Sequence, residues 1–349
     1  QNLTDTTENK NSPRILPSIT FLQTRKGFTK DQELTTKMHA NHVSNDLGHD
    51  IARWNIQQTA ITSHETNLGI IDSEIGYVAS FYQINKRNDG FTKTGDVARA
   101  NPHASLGWRQ YYNYIINKKS LIVEPKIKLT IIGGEDKNND IPNRDSADFR
   151  VDSANMFLTN RFQGNDYVLP GARADIGLSA FANSGLLGSL HGFAGVSRRH
   201  TGDAPSGLST GTDTDLSDYI ATVSAEKENL YAFSWSGRIN STSSNLDESR
   251  TKFNTRLQNA RFTIAHTQLT QNYFTSADSD LEEASLSISQ RLKNGVNLRA
   301  SQNWDLSDSN VYRDKSSFVV SWSDGLQDCL TISLSYDRDP EIDRDIKTT

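Results

Sequence analysis

Few residues of this chain are spaced for covalent chemistry. His39 and His42 lie three apart, and on a strand that spacing sends them to opposite faces, so they cannot share a metal ion. Asp145 and Asp148 form a carboxylate pair, but nothing nearby supplies a base or an oxyanion site. The stretch Glu135-Asp136-Lys137-Asn138-Asn139-Asp140 offers oxygen ligands for calcium, yet it lacks the spacing and terminal Glu of an EF-hand loop. A solvated loop is the better reading. No Walker loop is present. Cys329 is the single cysteine, which excludes an internal disulfide framework and leaves open a bond to another chain. The expectation is a protein without catalytic residues, metal site or cofactor.

The elements that would position any site are strands. From Glu283 to Tyr336, apolar and polar residues alternate in runs separated by turns. Val296, Leu298, Ala300, Trp304 and Leu306 fall on one parity, and Asn297, Arg299, Ser301, Asn303 and Asp305 on the other. A strand sends successive side chains to opposite faces, so this is a sheet with one greasy and one strongly polar face. Punctuation and alternation place about 16 strands along the chain, from Ile15–Gln23 to Cys329–Asp337, with Ala98–Ile115 read as one of them. Several exceed the usual soluble strand of about five or six residues. Length and alternation together predict an all-β fold, an antiparallel transmembrane β-barrel with lipid outside and a wet lumen inside. Candidate lumen-facing residues are Arg238, Arg291, Asn297, Arg299, Asn303 and Asp305.

The connections fit. Lys293-Asn294-Gly295, Asp324-Gly325 and Asn183-Ser184-Gly185 are tight-turn signals, whereas Glu135 to Pro170 and His200 to Ser217 are long and polar. Short turns on one rim and long extracellular loops on the other belong to outer-membrane barrels. Asp152–Asn160 has room for one helical turn inside the longest loop. Pro102 and Pro125 stand in strand context and mark bulges, edges or weak seams, because proline cannot donate to the ladder. Tyr231, Phe233 and Trp235 share one face, as do Phe318, Val320 and Trp322, while Trp108, Tyr112 and Tyr114 cluster. Such rings suit the membrane interface.

Bulk properties are compatible with this reading. The chain has 349 residues, 35% of them hydrophobic, and a mean hydropathy of −0.62. No apolar run approaches the ~20 residues of a membrane helix. The net charge of −5 and the lack of a basic stripe argue against a nucleic-acid partner. Gln1 to Asn11 is polar and lacks the apolar core of a signal peptide. The expected organisation is a polar lead-in over 1–13 and one barrel domain over 14–349, part of a longer protein.

One resemblance is specific. Ile141-Pro142-Asn143-Arg144-Asp145-Ser146, followed by Asn160-Arg161-Phe162-Gln163-Gly164-Asn165-Asp166, is similar to the loop of the LPS-assembly protein family, LptD, which carries Pro-Asn-x-Asp-Ser and then Asn-Arg-Phe-x-Gly-x-Asp. Pro142, Asn143, Asp145, Ser146, Arg161, Phe162, Gly164 and Asp166 are the matching positions. The family continues Arg-Val-Glu-x-Gly, whereas this chain has Tyr167-Val168-Leu169-Pro170-Gly171, without the basic and acidic residues. Leu16-Pro17-Ser18-Ile19, Ile122-Val123-Glu124-Pro125, Ser206-Gly207-Leu208 and the segment from Asp328 to Ile346 also resemble family elements in order and spacing.

The resemblance implies an outer-membrane translocon that passes lipopolysaccharide through a barrel lumen and a lateral seam into the outer leaflet. It implies a barrel of about 26 strands, of which this chain would lack the first and last, and a periplasmic N-terminal domain that receives lipopolysaccharide from a bridge protein. It further implies a plug lipoprotein, LptE, surrounding outer-membrane lipids, and a disulfide from Cys329 to the N-terminal domain. The alternatives are a general porin or nutrient channel, with Glu135–Pro170 as its constriction loop, a barrel enzyme, and a soluble β-sandwich.

Overall fold

A computed structural model describes residues 14–29, 31–44, 50–86, 93–143, 145–146, 151–162, 164–203, 212, 214–270, 280–292, 295–307, 312–323 and 331–338. Seventeen strands follow one another: β1 (Arg14–Lys26), β2 (Gln32–Ser44), β3 (Asp50–Thr66), β4 (Gly69–Lys86), β5 (Gly95–Arg109), β6 (Tyr112–Ile116), β7 (Lys119–Ile132), β8 (Gly171–Ser184), β9 (Gly188–Thr201), β10 (Tyr219–Lys227), β11 (Tyr231–Ile239), β12 (Leu246–Leu257), β13 (Ala260–Leu269), β14 (Leu281–Arg291), β15 (Val296–Asp305), β16 (Tyr312–Ser323) and β17 (Thr331–Arg338). By contact the chain divides into two compact units, 1–111 with 125–177 and 196–217, and 112–124 with 178–195 and 218–349.

In the first unit, antiparallel ladders run β1–β2–β3–β4–β5, and β5 pairs next with β7. In the second, β6 pairs with the first half of β7, and β9 to β17 pair in sequence order. Every described ladder is antiparallel, as expected for strands joined by direct turns. The single expected strand Ala98–Ile115 is two, β5 and β6. Arg109 opposes Lys126 and Tyr112 opposes Val123, so the register is kept while Gln110 and Tyr111 leave the ladder opposite Glu124 and Pro125. The break sits where proline has no N–H to give, and the Gln110 N–H donates to the Pro125 carbonyl at 3.3 Å. Asn117 and Lys118 both have positive φ, the signature of the two-residue type I′ hairpin that joins β6 to β7.

Burial inverts the rule for soluble sheets. Along β5 the buried residues are Val97, Arg99, Asn101, His103, Ser105 and Gly107, and the exposed ones between them are Ala98, Ala100, Pro102, Ala104 and Leu106. Ile75 is 65% and Ile131 60% exposed, whereas Asn101 and Thr130 are each 1% exposed. An apolar face turned outward and a polar face turned inward is the pattern of a membrane barrel wall, and it is unstable in a soluble sandwich, where unpaired buried polar groups cost ~1–3 kcal/mol each. The described residues hold no helix long and apolar enough to cross a membrane. The apolar face carries rings in contact: Trp54 with Phe81 (centroids 5.5 Å apart) in the first unit, and Tyr231 with Phe253 (6.1 Å) in the second.

Candidate functional site

Registers across β2 to β5 place polar side chains in rows. Asn41, Arg53, Tyr82 and Val97 form one row; His39, Asn55, Ser80 and Arg99 form the next. The described residues between 133 and 170 cover these rows and join them at three places. The segment leaves β7 through Gly134, whose φ of +96° and close approach to the Ala100 carbonyl leave no room for a Cβ. Asn138 then clamps its far end, donating to the Val168 carbonyl (2.7 Å) and accepting from the Val168 N–H (3.1 Å). A turn at Asp152–Leu158, with the Met156 N–H donating to the Asp152 carbonyl at 3.0 Å, matches the helical turn expected there.

The first junction is made by the family-like motif. Arg53 donates from Nε to Asn41 Oδ1 (2.6 Å) and from Nη1 to Asp166 Oδ1 (2.7 Å), and Nη1 lies 2.8 Å from Asp145 Oδ2. The Tyr82 hydroxyl donates to Asp166 Oδ1 at 3.1 Å. Arg99 donates to the carbonyls of Asp166 (2.9 Å) and Asn165 (2.5 Å). Within the motif, Asp145 Oδ1 accepts the N–H groups of Asn165 and Asp166, and Ser146 Oγ accepts those of Asp166 and Tyr167. The Asn143 side chain brackets the Ser146 backbone, accepting its N–H and donating to its carbonyl. Pro142 is fully buried, and its neighbour Ile141 packs with Ile51, Tyr82, Ile84 and Val97. Gly164 has a φ of +90°, and a Cβ there would sit 2.5 Å from the Asp145 carbonyl. The Phe162 and Tyr167 rings lie 4.3 Å apart.

The second junction centres on Asp175 of β8, which is 0% exposed. Arg161 pairs with Asp175 Oδ1 and donates to Ser197 Oγ (2.7 Å), while Ser197 Oγ donates to Asp175 Oδ1 (2.6 Å). Arg173 Nε lies 3.3 Å from Asp175 Oδ2, and its Nη2 donates to the carbonyls of Leu158 and Thr159. The third centres on Glu74 of β4. Thr159 Oγ1 donates to Oε2 (2.6 Å), Lys128 Nζ donates to it at 3.4 Å, and His103 Nε2 lies 3.4 Å from Oε1.

Electrostatics favour this arrangement. Burial pushes the Asp145 carboxyl up, but the Asn165 N–H and the Arg53 guanidinium outweigh it, so its pKa falls below the usual carboxylate range. Burial and the neighbouring Arg173 lower Arg161 to about 10, which still leaves it a cation at neutral pH. Every named cation at these junctions meets a carboxylate or a backbone carbonyl. The hollow among Arg161, Phe162, Pro170, Arg173 and Ser197 holds only about 50 Å3, far below the ~300 Å3 of a ligand pocket. The junctions are built to hold a loop rather than a ligand.

Of the family-motif positions read in the sequence, Asn143, Asp145, Ser146, Gly164 and Asp166 meet at the first junction and Arg161 at the second, and Arg144, Gln163 and Asp148 lie outside the described residues. Their partners Arg53, Tyr82, Arg99, Asp175 and Ser197 did not stand out, although charged residues on the polar parity of strands were the signal available. The six candidate lumen residues lie on the polar face of the second unit; Arg291, Asn297 and Arg299 border one hollow, whereas Arg238, Asn303 and Asp305 stand apart from it. Arg238 is buried beside Glu248 (3.9 Å), which also meets Arg250 Nε at 2.7 Å. Arg291 opposes Asn297, and Arg299 opposes Ser289. Asn303 opposes Ser285 and Asp305 opposes Glu283, nearer the other strand end, and Asp305 Oδ1 accepts the Ser307 N–H at 2.9 Å. Cys329 lies outside the described residues. Among the described residues no His, Cys, Asp and Glu side chains group as a metal site.

Comparison with curated proteins gives no match. A family model does match, over residues 1–304, and its description is LPS transport system D. That span runs from β1 to Trp304 of β15 and takes in the described residues of the Pro142-to-Asp166 knot, in an all-β antiparallel fold with its apolar face outward; the chain belongs to the LptD family of outer-membrane lipopolysaccharide transport proteins.

Proposed function

We propose that this chain forms part of the wall of an outer-membrane barrel that takes lipopolysaccharide into a polar lumen and releases it through a lateral seam into the outer leaflet. The observation that carries the reading is the inverted burial of β5, with Arg99, Asn101 and His103 covered and Leu106 bare. A wall of this kind presents hydrogen-bonding groups to sugars and phosphates on one side and an apolar surface to acyl chains on the other. The mechanism needs no catalytic group. A seam with few ladder bonds opens at modest cost, since each net hydrogen bond contributes only ~0.5–1.5 kcal/mol. Residues 14–349 would act as one barrel domain, with Arg238, Arg291, Asn297, Arg299, Asn303 and Asp305 lining its lumen. The family resemblance adds a plug lipoprotein, LptE, a periplasmic bridge that delivers the glycolipid to a separate N-terminal domain, and a disulfide from Cys329 to that domain.

A porin is the second reading, favoured by the folding of 133–170 over the polar face. Family membership favours transport of lipopolysaccharide. Depletion of the full-length protein in its own cell separates the two. Newly made lipopolysaccharide is scored by a modification that occurs only in the outer leaflet. Arrest of surface arrival with continued synthesis supports translocation. Unchanged arrival with reduced small-solute uptake would replace it with a channel.

A further inference from the structure

The polar face of the second unit carries a group of arginines that the loop network leaves untouched. Arg256 of β12 directly opposes Arg261 of β13, Arg261 opposes Ser289 of β14, and Ser289 opposes Arg299 of β15. One cross-strand row thus holds three guanidinium groups over three ladder steps of ~4.8 Å each. Arg291 stands two residues along β14 from Ser289, on the same parity. All four arginines are exposed, and none of them makes an ion pair with the described residues. Like charges opposed across a ladder destabilise a sheet, so the row is a poor choice for wall stability alone.

The arginines border a hollow of about 500 Å3 whose other polar lining includes Ser289, Asn297 and Ser321. One carboxylate, Glu226, lines the adjoining hollow with Lys227, Lys252, Arg256 and Arg261. The local balance is therefore strongly positive in a chain whose net charge is −5. A short turn at Gln258-Asn259, and the bond from the Leu292 N–H to the Val296 carbonyl (2.8 Å), place the group at one end of its strands. Guanidinium forks bind phosphate oxygens in pairs, and hydroxyl and amide groups between them suit a sugar.

We propose that Arg256, Arg261, Arg291 and Arg299 form a docking site for the phosphorylated sugar headgroup of a glycolipid, at the short-turn end of the polar face. This rests on the transport reading above and assigns that function a binding station. The row binds the headgroup by charge and fork geometry and leaves the acyl chains out.

The test uses the full-length protein with its partners in lipid nanodiscs free of lipopolysaccharide. It is titrated with lipopolysaccharide and with the same glycolipid after enzymatic removal of its phosphates. The unaltered protein should prefer the phosphorylated form by about tenfold or more. R261Q/R299Q should bring the two forms within about twofold of each other, while R261K/R299K, which keeps charge without the fork, should fall between. Heat-modifiable migration confirms that each variant holds its barrel. A preference that survives R261Q/R299Q overturns the site. Displacement by inorganic pyrophosphate as effective as by the glycolipid overturns the headgroup assignment in favour of free phosphate. Binding of neither form by the unaltered protein sinks the transport reading instead.

Discussion

On β5 the polar parity, Arg99, Asn101, His103 and Ser105, is buried beneath residues 133–170; on β15 the same parity, Asn297, Arg299, Ser301 and Asn303, is half-buried or exposed. Both strands follow one alternation, and both turn apolar residues the other way. The difference lies in what is laid over them. In the first unit loop and strands partner each other: Asp166 and its carbonyl meet Arg53 and Arg99, and Asp175 of β8 meets Arg161 and Arg173. In the second unit Arg238 meets Glu248, and the Arg256-to-Arg299 row meets none among the described residues. Burying a charge is tolerated only with a partner, so the covered face is committed to one loop. The open face keeps its charges hydrated and available.

The strongest test of that contrast is Asp175→Ala, which leaves two buried guanidiniums without their carboxylate. Loss of one partner of a buried pair costs ~3–5 kcal/mol. Protease resistance of residues 133–170 should collapse; unchanged resistance would show that apolar packing, not the ion network, holds the segment. Next comes Ile75→Arg on the bare apolar face. A charge on the lipid side should cost ~2–4 kcal/mol of barrel stability in liposomes, and Ser301→Arg on the open polar face should cost no more than the ~0.5–1.5 kcal/mol of its bond to Ser317. Equal effects would contradict the assignment of faces.

Gly164→Ala forces a side chain into a positive-φ position against the Asp145 carbonyl and should loosen the loop by ~1–3 kcal/mol, read as faster hydrogen exchange at Asn165 and Asp166. Acid should act on the same loop. Asp145 has a lowered pKa in the fold, so its contribution is fully present above the ordinary value of ~3.9 and is lost as pH falls through the lower, folded value. Loop protection should therefore persist at pH 5 and fade below about pH 4, and Asp145→Asn should flatten that part of the profile. The smallest effect is expected on the open face: Ser301→Ala removes one cross-strand bond to Ser317 (2.7 Å) and should cost ~0.5–1.5 kcal/mol of thermal stability.

Alternation made the strands and their two faces readable, because a side-chain period of two is local. The break between β5 and β6 was harder to read: Pro125 was visible as a disturbance, but the residues that leave the ladder, Gln110 and Tyr111, sit on the opposing strand. The knot was readable in half. Asp145, Ser146, Arg161 and Asp166 drew notice through their resemblance to a family loop, but Arg53 lies 113 residues from Asp166, and no local pattern links them. The candidate lumen residues all came from the second unit, where alternation is cleanest. The densest polar assembly is in the first unit, where single polar-parity residues had to be joined across strands to be noticed.

That separation of 113 residues has a consequence for how the wall is made. Each described ladder joins strands adjacent in sequence, with β5 and β6 acting as one interrupted strand. Such a wall can grow hairpin by hairpin, each step closing one loop between strands adjacent in sequence. The Arg53–Asp166 contact cannot: it waits until β3, β4 and β5 stand side by side and the later loop is laid back across them. A slip of one residue in β3 would turn Arg53 to the apolar side and set Trp54 or Ala52 in its place. Asp166 would then be a carboxylate without its guanidinium, and the loop would stay unlatched. The latch is an inspection step built into the chain, closing late and only over correctly aligned strands, so a misassembled wall stays open to proteolysis.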